Sequence, residues 1–395
     1  MKHAWLATAF ALLGIAAQDP KKVDQAKVDA AVKRGIEHLL QAPSPAAHQG
    51  IPDSDELLLW TFLHGGVSEA HPRFQELLSR VLEAKLERTY KVALQAMVLE
   101  ELDRVKHQRR IAQCAQFLID NQTRKGHWGY GEATRFVDDV PTPTPRKSVA
   151  TGGSGKPKAP RDFAKQGERP PKPKVVSTIT VTKKRDGADQ ADNSNSQYAA
   201  LGLRACHDAG IVLPAEVVNL AMKYWTEAQH VDPNSPGRGW CYWCGSRDEA
   251  SHKAWGAMTA GAVGSLVIYH YILNEPWMKD PAIVSGLEWM AKNFSVKQHP
   301  MRTGPQDPNG RRYFSYYLYA LERAGILYGT ERLGAHEWYP EGARMLLDAQ
   351  APDGSWSFKG DIDSPVWDTC FAILFLRRAT RPLNDVASVD KVGPK

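Results

Sequence analysis

The densest set of reactive side chains in this sequence is Trp240-Cys241-Tyr242-Trp243-Cys244, followed by Asp248, Glu249 and His252. A Cys-x2-Cys pair with His252, joined by His230, has the soft and borderline donors that zinc takes. One such pair without a second is short of a zinc signature. In an oxidising compartment the same pair closes into a local disulfide or stays as two thiols. Trp240, Tyr242 and Trp243 bring large flat faces, which either line a cavity for an isoprenoid or a sugar or plug turns in a core. Candidate proton carriers are single acids at helix starts: Asp192, beside Asn193 and Asn195, and Asp368. Acids at such places also serve as caps. Nothing in the residue pattern calls for a metal or another cofactor.

These residues are positioned by a repeated helical unit. In Glu341–Trp356, Gly342, Met345, Leu346 and Ala349 share one helical face. Gln350 closes that helix, Asp353-Gly354 turns the chain and Trp356 plugs the turn. The following stretch, Trp367–Leu376, is apolar nearly all round, as a helix buried on every side must be. The pattern returns at Phe117, Leu118, Gln122, Gly126 and Trp128 with the same spacing. It returns with a longer turn at Tyr224, Trp225, Gln229 and Trp240, and with Phe294 in place of the glutamine near Trp289. Twelve helices in six hairpins are predicted, alternately half-polar and wholly apolar. That alternation suits a closed ring with outer helices facing water and inner helices packed all round.

The chain has 395 residues and is 43% hydrophobic, enough for a sizeable core. Residues 1–17 read as a secretory signal, Lys2 and His3 before an apolar run and small residues, so the chain is expected to be exported to the periplasm or secreted. Residues 18–27 form a linker. The toroid spans 28–380, and 381–395 form a tail. No later stretch is long and apolar enough to span a membrane. Between the fifth and sixth helices lies a segment, 133–191, rich in Pro, Gly, Lys and Ser, with one β-prone run, Val175–Thr182. It is expected to be a disordered basic insert and a contact arm for a protein or anionic envelope partner. Its part from Arg146 to Arg185 holds twelve lysines or arginines against two acids. The +6 net charge of the chain therefore resides there, and no nucleic-acid face is indicated. Cys114, Cys206 and Cys370 fall in helical apolar patterns and read as small core residues.

Phe117-Leu118-x3-Gln122-x3-Gly126-x-Trp128 and its counterpart ending at Trp356 resemble the QW motif of squalene and hopene cyclases. The hairpin repeat is similar to that of those cyclases, of protein prenyltransferase β subunits and of exported bacterial proteins with squalene-cyclase-like repeats. The resemblance implies an all-α, (α/α)6 toroid of six helical hairpins with one long basic loop insertion. It also implies a central aromatic cavity for an isoprenoid or lipid-like ligand. In the enzymatic form of that reading Asp368 or Asp192 is the acid, and Trp255, Tyr313 and Phe371 are cavity aromatics beside Trp240, Tyr242, Trp243 and His252. The D-x-D-D acid run of hopene-type cyclases is absent. Asp368-Thr369-Cys370 has the Asp-x-Cys spacing of the prenyltransferase zinc site, but no histidine follows it. The alternative is a catalytically inactive toroid that binds protein or glycan.

Overall fold

The computed structural model describes residues 23–44, 54–145, 172–231, 237–243, 253–300, 309–358 and 364–383. Twelve α-helices stand in the predicted order among these residues. The outer set is α1 (Gln25–Gln41), α3 (Pro72–Glu83), α5 (Gln108–Asp120), α7 (Ala215–Glu227), α9 (Pro281–Lys292) and α11 (Trp338–Ala349). The inner set is α2 (Asp55–Gly65), α4 (Thr89–Asp103), α6 (Asn193–Asp208), α8 (Gly256–Ile272), α10 (Phe314–Tyr328) and α12 (Pro365–Leu376). Each inner helix packs on the next, and α12 packs on α2, so the inner ring closes. The fold is an all-α toroid.

Burial follows from the sequence pattern. On α3 only Phe74, Leu77 and Val81 are buried, one stripe of an amphipathic helix. On α8 every residue from Gly256 to His270 is buried. Caps set the inner-helix starts. Ser54 accepts from Leu57 N at 3.1 Å, Asp192 from Asn195 N at 2.8 Å and Ser364 from Trp367 N at 3.4 Å. Pro365 at the first helical position of α12 has no N–H to leave unpaired.

The repeated glutamines and tryptophans join neighbouring hairpins. The Trp128 indole donates to Leu118 O at 2.7 Å, Trp356 to Leu346 O at 2.8 Å and Trp240 to Trp225 O at 2.7 Å. Each ring thus seats on the helix before its turn. The Gln122 amide donates to Val217 O on α7 at 2.8 Å, and Gln229 to Ala282 O on α9 at 2.8 Å. Gln350 donates to Ala31 O on α1 at 2.8 Å and so closes the outer ring. Where Phe294 replaces the glutamine, its ring stacks on His336 at 4.3 Å instead.

Three expectations are corrected. The apolar pattern of the sequence predicts the eighth helix from Ser251 and the tenth from Arg311, yet Trp255 is extended and α8 starts at Gly256. Helix α10 starts at Phe314, because Gly310 and Tyr313 both take positive φ, 58° each. The insert was expected to be disordered throughout, but its flanks are packed. Thr144–Pro145 (β1) pairs with Ser177–Thr180 (β2), which runs parallel to Ile211–Val212 (β3). Ile179 and Val181 are buried, and Gln108 and Gln116 of α5 donate to Ser177 O and Thr182 O. The β-prone run found a sheet partner just beyond α6, which composition alone does not reveal. Residues 1–22, on which the expected signal falls, 146–171 and most of 381–395 lie outside the described residues. No helix among the described residues is long and apolar enough to cross a membrane.

Candidate functional site

Five inner helices, α4, α6, α8, α10 and α12, bring their N-terminal turns to one mouth of the ring. There a cavity of about 130 Å³ is enclosed. Its aromatic walls are Tyr90, Tyr130, Tyr242, Trp255, Tyr313, Tyr316, Trp367 and Phe371. Its polar side chains include Ser194, Asn195, Ser315, Asp368, His299 and Arg311. The N-terminal ends of helices carry partial positive charge, so five of them favour negative charge at this mouth.

Asp368 stands in the first turn of α12 and faces the cavity. Its Oδ2 accepts from Phe358 N at 3.0 Å, and its Oδ1 accepts from the Ser315 hydroxyl on α10. Two donors and a helix N-terminus all favour the ionised carboxylate. Asp192 is the buried cap of α6, two residues before the cavity-lining Ser194-Asn195 pair. Its oxygens accept from Asn195 N at 2.8 Å and Asn195 Nδ2 at 2.9 Å. Burial pushes its carboxyl up to about 6, against the lowering effect of those hydrogen bonds. It does not line the cavity, but its charge is felt by the hydroxyls of Tyr130, Tyr242 and Tyr316, which do.

His299 is committed to structure. Its Nε2 accepts from Ala257 N at 2.9 Å, which leaves the ring proton on Nδ1, facing Arg312 O at 3.3 Å. It pins the start of α8 and stacks on Tyr317 at 5.2 Å. Arg311 lies over the rings of Phe314 and Phe358, at 5.2 and 6.0 Å. Tyr313 carries a left-handed backbone at the cavity wall, a conformation bulky residues rarely adopt outside functional sites.

Of the residues singled out in the sequence, Asp368, Tyr242, Trp255, Tyr313 and Phe371 share this cavity. Trp240 does not. It is wholly buried as a turn plug, because its indole N–H is spent on Trp225 O. Trp243 lies outside the cavity, 50% exposed, with its edge on Tyr242 at 5.2 Å. His252, Cys244, Asp248 and Glu249 lie outside the described residues. Cys241 is in a disulfide and so offers no thiolate to a metal, while His230 Nε2 approaches its sulfur at 3.0 Å. No cluster of three metal-binding side chains occurs among the described residues. The cavity residues that sequence reasoning missed include Tyr90, Tyr130, Ser194, His299, Ser315, Tyr316 and Trp367. Tyr90, Ser315, Tyr316 and Trp367 sit in the first turn of an inner helix, and that position is the signal that would have found them.

No protein-family profile matches the sequence, and no curated protein matches it. Solved structures do resemble the fold. A possible member of the GH105 family from Salmonella enterica serovar Paratyphi A superposes with a TM-score of 0.55 at 11% identity, covering 94% of this chain and 98% of that one. Another possible GH105 member, from Klebsiella pneumoniae, gives 0.54 at 10%, covering 95% and 98%. A type II terpene cyclase from Scytonema gives 0.32 at 11%, covering 90% and 99%. The first two show a shared toroid; the third superposes too loosely to carry an argument. The expected fold stands, while membership of the squalene-cyclase-repeat family is not shown.

Proposed function

We propose that this toroid is an enzyme whose cavity holds a terminal sugar ring, with Asp368 as the carboxylate that acts on it. The observation behind the reading is the pairing of a pinned carboxylate with walls that are both aromatic and hydroxyl-bearing. Ring faces take the C–H side of a sugar, and Tyr, Ser and Asn groups take its hydroxyls. Ligand sites of this kind combine apolar faces with a few convergent polar groups. An isoprenoid would set hydroxyl-bearing walls against hydrocarbon, at a cost for each group left unpaired.

In this reading Asp368 is ionised. It serves as general base or as the negative charge that steadies an oxocarbenium-like centre. Asp192 is a positioning residue, since it holds Asn195 at the wall. The toroid likeness to possible GH105 proteins is a likeness of fold and assigns no residue. A second reading, a short prenyl group against Trp255, Trp367, Phe371 and Met258, rests on the apolar side of the same cavity.

The test is turnover of a panel of chromogenic glycosides and oligosaccharides, with squalene and prenyl diphosphates in parallel. Glycoside cleavage, lowered ~10²- to 10⁴-fold in a folded Asp368→Asn variant, is the expected result. Conversion of an isoprenoid with no glycoside turnover would overturn the assignment.

A further inference from the structure

Below the cavity, on the ring axis, lies a buried cation without a counter-charge. Arg323 of α10 is 2% exposed. Its guanidinium lies over the faces of Tyr319 at 4.4 Å and Tyr198 at 5.3 Å, and Nη2 donates to Gln197 Oε1 at 2.8 Å. Among the described residues no carboxylate pairs with it; the nearby Glu322 is taken by Thr380 N at 3.0 Å and the Thr380 hydroxyl at 2.7 Å. Around it Arg323 Nη1 and Gln197 Nε2 complete no hydrogen bond, and the hydroxyls of Tyr90, Tyr198 and Tyr316 complete none of good geometry, although Tyr90 and Tyr198 lie toward each other, Tyr198 toward Arg323 and Tyr316 toward Ser194.

This is an unusual concentration. Buried polar groups are normally satisfied, and a buried charge normally has a partner. The ring faces offset part of the cost of burying the guanidinium, but they leave the N–H groups unused. All five groups can donate, and the two nitrogens can only donate. Burial raises the three tyrosine hydroxyls, so they stay protonated and able to donate. A cation is excluded beside Arg323 by like charge. Two of the five groups, on Tyr90 and Tyr316, belong to residues that also line the cavity, so the cluster is approached from there.

We propose that Arg323 and Gln197, with the hydroxyls of Tyr90, Tyr198 and Tyr316, form a binding site for a small anion at the floor of the cavity. The chemistry is that of a halide or a carboxylate, either free in solution or borne by the ligand above. The site goes beyond the sugar reading and stands or falls separately from it, because it is tested with anions alone.

Bromide is the probe. Crystals of the full chain grown in sodium bromide are expected to show an anomalous peak within hydrogen-bond reach of Arg323 Nη1 and Gln197 Nε2. In solution, bromide and formate are expected to raise the Tm saturably at constant ionic strength. Arg323→Gln should abolish both effects. Should that variant fail to fold, Tyr316→Phe, which removes one donor, should weaken bromide about tenfold, as loss of one hydrogen bond to a charged group implies. Displacement of bromide by a carboxylate-bearing monosaccharide, but not by its neutral counterpart, identifies a ligand-borne anion; displacement by neither identifies a free one. Ordered water in place of bromide, with a Tm that follows ionic strength alone, would overturn the site.

Discussion

At the scale of single residues, Asp192 and Asp368 show how one side-chain type takes two characters on two facing helices. Asp368 accepts from two donors at the cavity wall, whereas Asp192 is pushed toward its neutral form by burial. The raised folded-state value of Asp192, about 6, against an ordinary aspartate near 4, gives a signed prediction. Between about pH 4 and 6 the folded chain binds more protons than the unfolded one, so stability falls as pH rises through that window. The loss amounts to about 2–3 kcal/mol. Asp192→Asn keeps a capping side chain, and its unfolding free energy should lack that slope. Denaturant titrations at pH 4, 5, 6 and 7 check it; an identical slope in the variant would refute the coupling.

At the scale of elements, the glutamine ties and tryptophan seats decide how hairpins join. Gln122 is wholly buried, while Gln350 is partly exposed. Truncating Gln122 to alanine removes a buried hydrogen bond between hairpins, the Val217 carbonyl keeping its own helical partner, and should cost about 1.5 kcal/mol, against about 0.5 kcal/mol for Gln350→Ala. Equal midpoint shifts in urea would count against this account. At the ring junction, a Cβ on Gly35 would meet the Trp356 ring at 2.8 Å and Ile373 Cδ1 at 3.0 Å. Gly35→Ala should destabilise by about 1–3 kcal/mol through overpacking, read as a lowered Tm. These seats were legible because Trp128 and Trp356 recur at equal spacing after Leu118 and Leu346. The same logic should have marked Trp240 as a seat and not a cavity wall. Tyr316 and Trp367 were hidden for a physical reason. Inner helices are apolar all round, so periodicity does not say which face looks down the axis. The sheet at β2 was half-legible: Val175–Thr182 showed its propensity, but its partner β3 follows another helix.

At the scale of the whole molecule, the mouth opposite the cavity is closed by charge. Lys172, from the insert, binds Glu101 at 2.8 Å and also pairs with Glu100, and Arg381 reaches Glu101 at 2.5 Å. Arg204 and Asp208 complete the lining at 3.4 Å. Burial alone would raise Glu101, but Lys172 and Arg381 outweigh it and hold that carboxyl well below the usual range. The contribution of Glu101 is thus present above about pH 4.5 and lost as pH falls below it. Lys172→Met leaves two buried carboxylates short of a partner and should cost about 3–5 kcal/mol at pH 7, with less further loss on acidification. A midpoint in denaturant unchanged from wild type would show that the insert is not a strut.

Contacts that bridge the first and last hairpins include Gln350 to Ala31, Arg377 to Asp29 at 2.5 Å, His38 to Asp353 at 3.6 Å, and Trp356 against Gly35. The seam between α1 and α11–α12 is therefore built from the same glutamine tie and tryptophan seat as the junctions at Gln122 and Gln229. A ring without a privileged seam can be opened elsewhere. Joining the chain from α12 to α1 through a flexible linker, and breaking it instead at the β6–β7 hairpin of Arg332–Leu333 and His336–Glu337, gives a circular permutant that keeps every helix neighbour. Such a chain would fold to the same toroid in a different order, because the contacts now most distant along the polypeptide would become the first to form.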